Sequence, residues 1–136
     1  MRRYLKAKNA RYRKAQGSRN DCSVIAISIV CRTTYKAAFI ACEKVGRKPK
    51  GGLSSIYIGF VAKSLGFNLE VIAGLKQKNG SNYTAKTIGD KLKKGYYLVF
   101  TSDHVFAVVN GDVEDWTKNR KHTVTDVYKV IRLRAR

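Results

Sequence analysis

The sequence predicts an α+β fold in which a buried N-terminal helix and a helical layer pack on a C-terminal antiparallel sheet. Three observations predict it. Residues 22–31, CSVIAISIVC, are the most apolar run in the chain and are apolar nearly all round, the pattern of a helix enclosed on every side. Helix start and stop residues then recur as far as Gly95. From Tyr96 the apolar period changes to two, and Asn110-Gly111 is the strongest hairpin signal in the chain, because a type I′ turn needs positive φ at both central positions. Helices first and strands second is an α+β order.

Taken in order, residues 1–19 carry Arg, Lys and Tyr with no hydrophobic period. They read as a basic N-terminal arm ahead of a single domain over residues 20–136, since 136 residues suffice for one core but not two. Such an arm is either a solvated tail or a grip on phosphate through Arg2, Arg3, Arg11, Arg13 and Lys14, with Tyr4 and Tyr12 free to stack on bases. Arg132, Arg134 and Arg136 form a second basic cluster at the other end. Asn20 and Asp21 are good N-caps and start the buried helix at about Cys22. Thr33 or Thr34 caps a second helix over 35–45, ended by Gly46, and a basic loop with Pro49 follows. Ser54 or Ser55 caps a third through Leu65, closed by Gly66. Residues 68–73 are a short strand candidate, 74–83 a polar loop, and 84–94 a weaker helix stopped by Gly95. Strands are expected over 96–101, 104–109, 112–116 and 127–133, with a basic loop at 118–125.

Composition limits the function. An apolar fraction of 44% is that of a globular chain. A net charge of +19 favours a partner rich in negative charge: nucleic acid, ribosome, an anionic envelope or an acidic protein. Three cysteines, an odd number without C-x-x-C spacing, indicate a reducing compartment, hence a cytoplasmic protein. No apolar run approaches the roughly 18 residues of a membrane span, and no apolar segment directly follows the basic start as in a signal peptide. No cofactor is implied, and Cys22, His104 and Asp115 lack the close paired spacing of zinc ligands.

The chemistry-bearing residues converge on Cys22. A thiol in the first turn of a helix faces the positive end of the dipole and free backbone N–H groups, which favour thiolate. In a two-residue Asn110-Gly111 hairpin, Val109 faces Asp112 and Val108 faces Val113. Alternation then puts His104, Phe106, Val113 and Asp115 on one face, with His104 and Asp115 as diagonal neighbours, and Glu114 on the other. A carboxylate beside one imidazole nitrogen fixes the tautomer and favours the imidazolium that a Cys–His pair needs. A one-residue bulge would bring Glu114 to that face instead. Gln16, six residues before Cys22, is close enough to turn its amide back beside the Cys22 N–H as an oxyanion donor. Each part also has a plainer reading. Buried cysteine is common, and Cys31 and Cys42 read as core. His122, among lysines and arginines, reads as exposed and inert. Trp116 points by alternation away from Asp115 into ordinary packing; only a strand bend would let it shield the His–Asp pair.

Gln16, then Asp21 and Cys22 at a helix start, followed by His104 opening a hydrophobic strand, a Gly turn and Asp115, resembles the papain-like fold. It is closest to the bacteriocin-leader-type peptidases and their small relatives in phage genomes. The resemblance implies a cysteine peptidase or amide hydrolase, phage-encoded and acting on a host or viral protein in the host cytoplasm. By it Cys22 is nucleophile, His104 general base, Asp115 orienter and Gln16 oxyanion donor. The chain departs from the family in having Ser23 where a glycine is usual, a shorter His–Asp interval, and Asp103 before the histidine, where it is a third candidate to contact the ring. A member of the fold that binds through its charge without catalysis is the alternative.

Overall fold

The computed structural model describes residues 1–133. Arg134 and Arg136 lie outside the described residues. The chain runs α1 (Arg2–Lys8), α2 (Arg11–Ala15), α3 (Cys22–Val30), α4 (Tyr35–Lys44), α5 (Ser55–Ser64), β1 (Phe67–Val71), α6 (Ile88–Lys91), β2 (Tyr96–Phe100), β3 (Val105–Val109), β4 (Asp112–Glu114) and β5 (Asp126–Arg132). The strands form one antiparallel sheet in the order β1-β5-β2-β3-β4. The fold is thus α+β, and no single helix among the described residues is long and apolar enough to cross a membrane.

α3 is the centre. Five of its nine residues are Val or Ile, poor helix formers, and so short a segment would not hold a helix alone in water. Burial holds it instead: every residue from Ser23 to Val30 is buried. Val24, Ile27 and Val30 are fully enclosed, each side chain contributing about 1.5–3 kcal/mol. α3 packs on β2 and β3 beneath it and on α4 and α1 beside it. α4 starts as its sequence indicates, with the Thr34 hydroxyl accepting from the Ala37 N–H at 3.1 Å.

Alternation along the strands divides the sheet into two faces. Leu98, Val105, Ala107, Val109 and Val130 join the helical layer. Val99, Phe106, Val108, Val113 and Val127 join a smaller cluster under α6, with Ala85, Ile88 and Leu92. The β3–β4 hairpin turns at Asn110 (φ 48°) and Gly111 (φ 87°) in the expected register, Val109 opposite Asp112 and Val108 opposite Val113. The helix expected over 84–94 shrinks to four residues. Thr84 pairs with Thr123 as a β-bridge, and Gly89 lies so close to the hairpin turn that a Cβ there would collide with the Gly111 carbonyl oxygen. Tertiary contact with the turn outweighs weak local helix preference here.

The N-terminal segment is neither a solvated tail nor a free arm. Tyr4 and Ala7, one helical turn apart in α1, are buried against the helical layer. Tyr12 packs edge-on against Phe39 with ring centroids 5.2 Å apart. Neither tyrosine is free to stack on bases. Glu114 on β4, itself 2% exposed, holds α1 in place: Arg3 Nη1 donates to it at 2.9 Å and the Tyr4 backbone N–H at 3.2 Å. Burial pushes the Glu114 carboxyl up, but these hydrogen bonds outweigh it and hold the group below its ordinary value.

Candidate active site

The N-terminus of α3 and the entry of β3 meet at one place. Asp21 occupies the N-cap position, but its carboxylate makes no capping bond. Arg13 grips it instead, Nε to Oδ2 at 2.7 Å and Nη2 to Oδ1 at 3.3 Å. The Tyr35 hydroxyl donates to Oδ2 at 2.8 Å and accepts from Ser18 at 2.7 Å. The Arg47 guanidinium, 4% exposed, donates to the Arg19 carbonyl at 2.9 Å. These buried charges clamp the loop leading into Cys22, so the start of α3 is rigidly placed. The first turn's N–H groups have no partner within the helix; the Ile25 N–H is the first to bond back, to Asp21 at 3.0 Å.

His104 sits where the chain enters β3. Its Nε2 is 2.7 Å from Asp115 Oδ2, and both side chains are largely buried. The same oxygen accepts from the Thr117 N–H at 3.2 Å and the Thr117 hydroxyl at 2.6 Å. Thr117 is fully buried and locks the carboxylate from behind; the pattern Asp-x-Thr is its sequence signal, legible as a local side-chain turn. With Nε2 committed to Asp115, Nδ1 is the nitrogen that remains for Cys22.

The thiol and the imidazole change each other's charge. Burial pushes the Cys22 thiol up, but hydrogen bonds from His104 and the Val105 N–H, the His104 charge and the Ser23 N–H together hold it below its ordinary value. For His104, burial favours the neutral ring, but the hydrogen bonds to Asp115 and Cys22 and their negative charge raise it to about 9. The other two thiols behave oppositely, with burial pushing Cys31 and Cys42 up to about 12. Among the three thiols, only Cys22 is shifted toward thiolate, and it is the one beside His104.

Two cavities flank this pair and share Cys22, Leu53, Asp103 and His104 in their walls. One, of about 410 Å³, is also lined by Ile58, Phe100, Asp126 and Tyr128. The other, of about 560 Å³, is also lined by Tyr4, Arg13, Asn20, Asp115 and Trp116. A chain lying across the molecule would pass Cys22 with one half in each. Among the described residues no group of three or more His, Cys, Asp or Glu side chains is arranged to hold a metal ion.

The structure brings Cys22, His104 and Asp115 together and leaves Gln16 out. Gln16 is exposed at the C-terminal end of α2 and lines neither cavity. α2 continues to Ala15 and turns the chain outward there, which spacing in sequence does not show. Glu114 faces the helical layer and serves α1, and Asp103 is exposed at the cavity mouth without an ion pair among the described residues. β4 ends at Glu114, and the chain bends there. Trp116, 47% exposed, therefore lies with its ring centroid 5.4 Å from that of His104 rather than in core packing. His122 is not free either: it packs edge-on against Trp116 at 5.5 Å. Of the basic residues expected to meet phosphate, Arg3 and Arg13 are taken by Glu114 and Asp21, and Arg132 lies 5.0 Å from the Phe67 ring centroid. Arg2, Arg11 and Lys14 are exposed.

Comparison of the chain with protein-family models, curated proteins and solved structures finds no match to any of them.

Proposed function

We propose that the protein is a cysteine peptidase-like thiol hydrolase of papain-like fold, cleaving a peptide or isopeptide bond with Cys22 as nucleophile, His104 as general base and acid, and Asp115 as the residue that orients the imidazole. One observation carries this reading. Of three thiols in one chain, only the one at a helix N-terminus facing a carboxylate-bound histidine is shifted toward thiolate. In the reaction the Cys22 thiolate adds to the amide carbonyl, and the imidazolium gives its proton to the departing nitrogen. Water, deprotonated by His104, then cleaves the thioester and restores the thiol. The order Cys, His, Asp on a helix-then-sheet chain supports the papain-like assignment, and with it a phage-encoded enzyme acting on a host or viral protein in the cytoplasm.

The test is selective alkylation. At pH 6 iodoacetamide labels Cys22 at least ten times faster than Cys31 or Cys42, read by mass spectrometry of the three peptides. Equal, slow labelling of all three sinks the reading.

A second reading has its own observation. The chain carries 28 Lys and Arg against nine Asp and Glu, and among the described residues only Arg3 and Arg13 pair with carboxylates. The free charge fits a polyanionic partner, as nucleic acid, ribosome or acidic protein, with or without catalysis. DNA or RNA then binds at low salt and is released steeply as salt rises, and Cys22→Ala leaves this binding unchanged. Negligible binding at low salt removes this reading.

A further inference from the structure

Resting on the hydrolase reading, we propose that the Tyr4 hydroxyl is the side-chain donor of the oxyanion hole, acting with the Cys22 backbone N–H in the place Gln16 leaves vacant. Tyr4 is 5% exposed, and it lines the cavity that also contains Cys22, His104 and Asp115. Among the described residues its hydroxyl has no hydrogen-bond partner, although its ring is packed and its own N–H is fixed to Glu114. The hydroxyl is not sealed in protein but open to this cavity, where the oxygen of a bound group can accept from it. Two other donors lining this cavity are engaged, Arg13 with Asp21 and the Asn20 amide with the Lys50 carbonyl at 3.0 Å, while Lys8 Nζ lies over the Tyr4 ring, 5.7 Å from its centroid. Burial, then the negative charge of Asp115 and Asp21, hold the phenol above its ordinary value, so at neutral pH it is a neutral donor.

The step is balanced. As the Cys22 sulfur bonds to the carbonyl carbon, the π pair moves onto oxygen, where the Tyr4 O–H and the Cys22 N–H each donate a hydrogen bond. Neither proton is transferred. When the C–N bond breaks, the pair returns to re-form the carbonyl, and the departing nitrogen takes its proton from His104. A donor aimed at the developing charge acts on acyl transfer but not on displacement at a saturated carbon, which forms no oxyanion.

That difference supplies the test. The full chain is treated with p-nitrophenyl acetate, an acyl donor, and with iodoacetamide, an alkylating agent, and both adducts are followed on the Cys22 peptide. Tyr4→Phe slows acetylation at least ten-fold while alkylation stays within two-fold of the unsubstituted protein. Equal acetylation rates, or a parallel fall in both reactions, overturn the proposal, the second showing that Tyr4 only packs. Should Tyr4→Phe fail to fold, Glu114→Gln, which loosens the anchor of Tyr4 and leaves the phenol in place, is expected to lower the same ratio; an unchanged ratio counts against Tyr4. Slow alkylation of Cys22 in the unsubstituted protein instead removes the hydrolase reading, and this inference with it.

Discussion

His104→Ala lowers the alkylation rate of Cys22 at pH 6 by roughly 10²-fold, the largest single effect expected in this molecule. Without the imidazolium the thiol keeps its burial, which pushes it up, and only the Val105 and Ser23 N–H groups oppose that. The pH profile gives the sign. Cys22 is depressed, so in the unsubstituted protein thiolate persists below the ordinary thiol value and is lost as pH falls through the depressed value. His104 is raised to about 9, so the imidazolium persists above the ordinary histidine range and is lost as pH rises through about 9. The rate therefore runs along a plateau between the two. Asp115→Asn removes the carboxylate that raises His104, and the upper end of the plateau moves to lower pH. A rate at pH 6 unchanged in His104→Ala rules out the ion pair.

Glu114→Ala costs about 2–3 kcal/mol, measured as the loss of unfolding free energy in urea. The carboxylate is enclosed, and its removal leaves the buried Tyr4 N–H without an acceptor and a gap beneath α1. Arg3 adds little to the loss, because its half-exposed guanidinium finds water once the pair is broken. A loss below about 0.5 kcal/mol would show that α1 docks through its apolar contacts alone.

Elements whose cause lies within a few residues of themselves were legible in the sequence. The run from Cys22 to Val30 announces a buried helix, and Asn110-Gly111 fixes a register from which the meeting of His104 and Asp115 follows by counting. The partners that decide the rest are distant. α1 depends on Glu114, which lies 110 positions from Tyr4, and no local pattern announces a carboxylate that far along the chain. The shortness of α6 depends on a hairpin turn pressed against Gly89. Gln16 illustrates the opposite failure, a spacing that fits a family and a backbone that turns away. The strand order, with β5 between β1 and β2, likewise comes from packing rather than from any sequence signal.

Glu114 and Asp115 are adjacent in sequence and hold two distant parts of the chain, one the α1 helix and the other the His104 ring. Synthesis on the ribosome gives this a temporal meaning. Cys22 is made early, but the imidazole that lowers its thiol, and the carboxylate that secures Tyr4, arrive only after more than eighty further residues. Contacts between such remote parts of a chain form late, because closing the intervening loop must come first. Until they form, Cys22 lacks the histidine beside it that lowers its thiol in the folded chain. The β3–β4 hairpin and the two residues that end it thus set the surroundings of Cys22 and the seat of the N-terminal helix together.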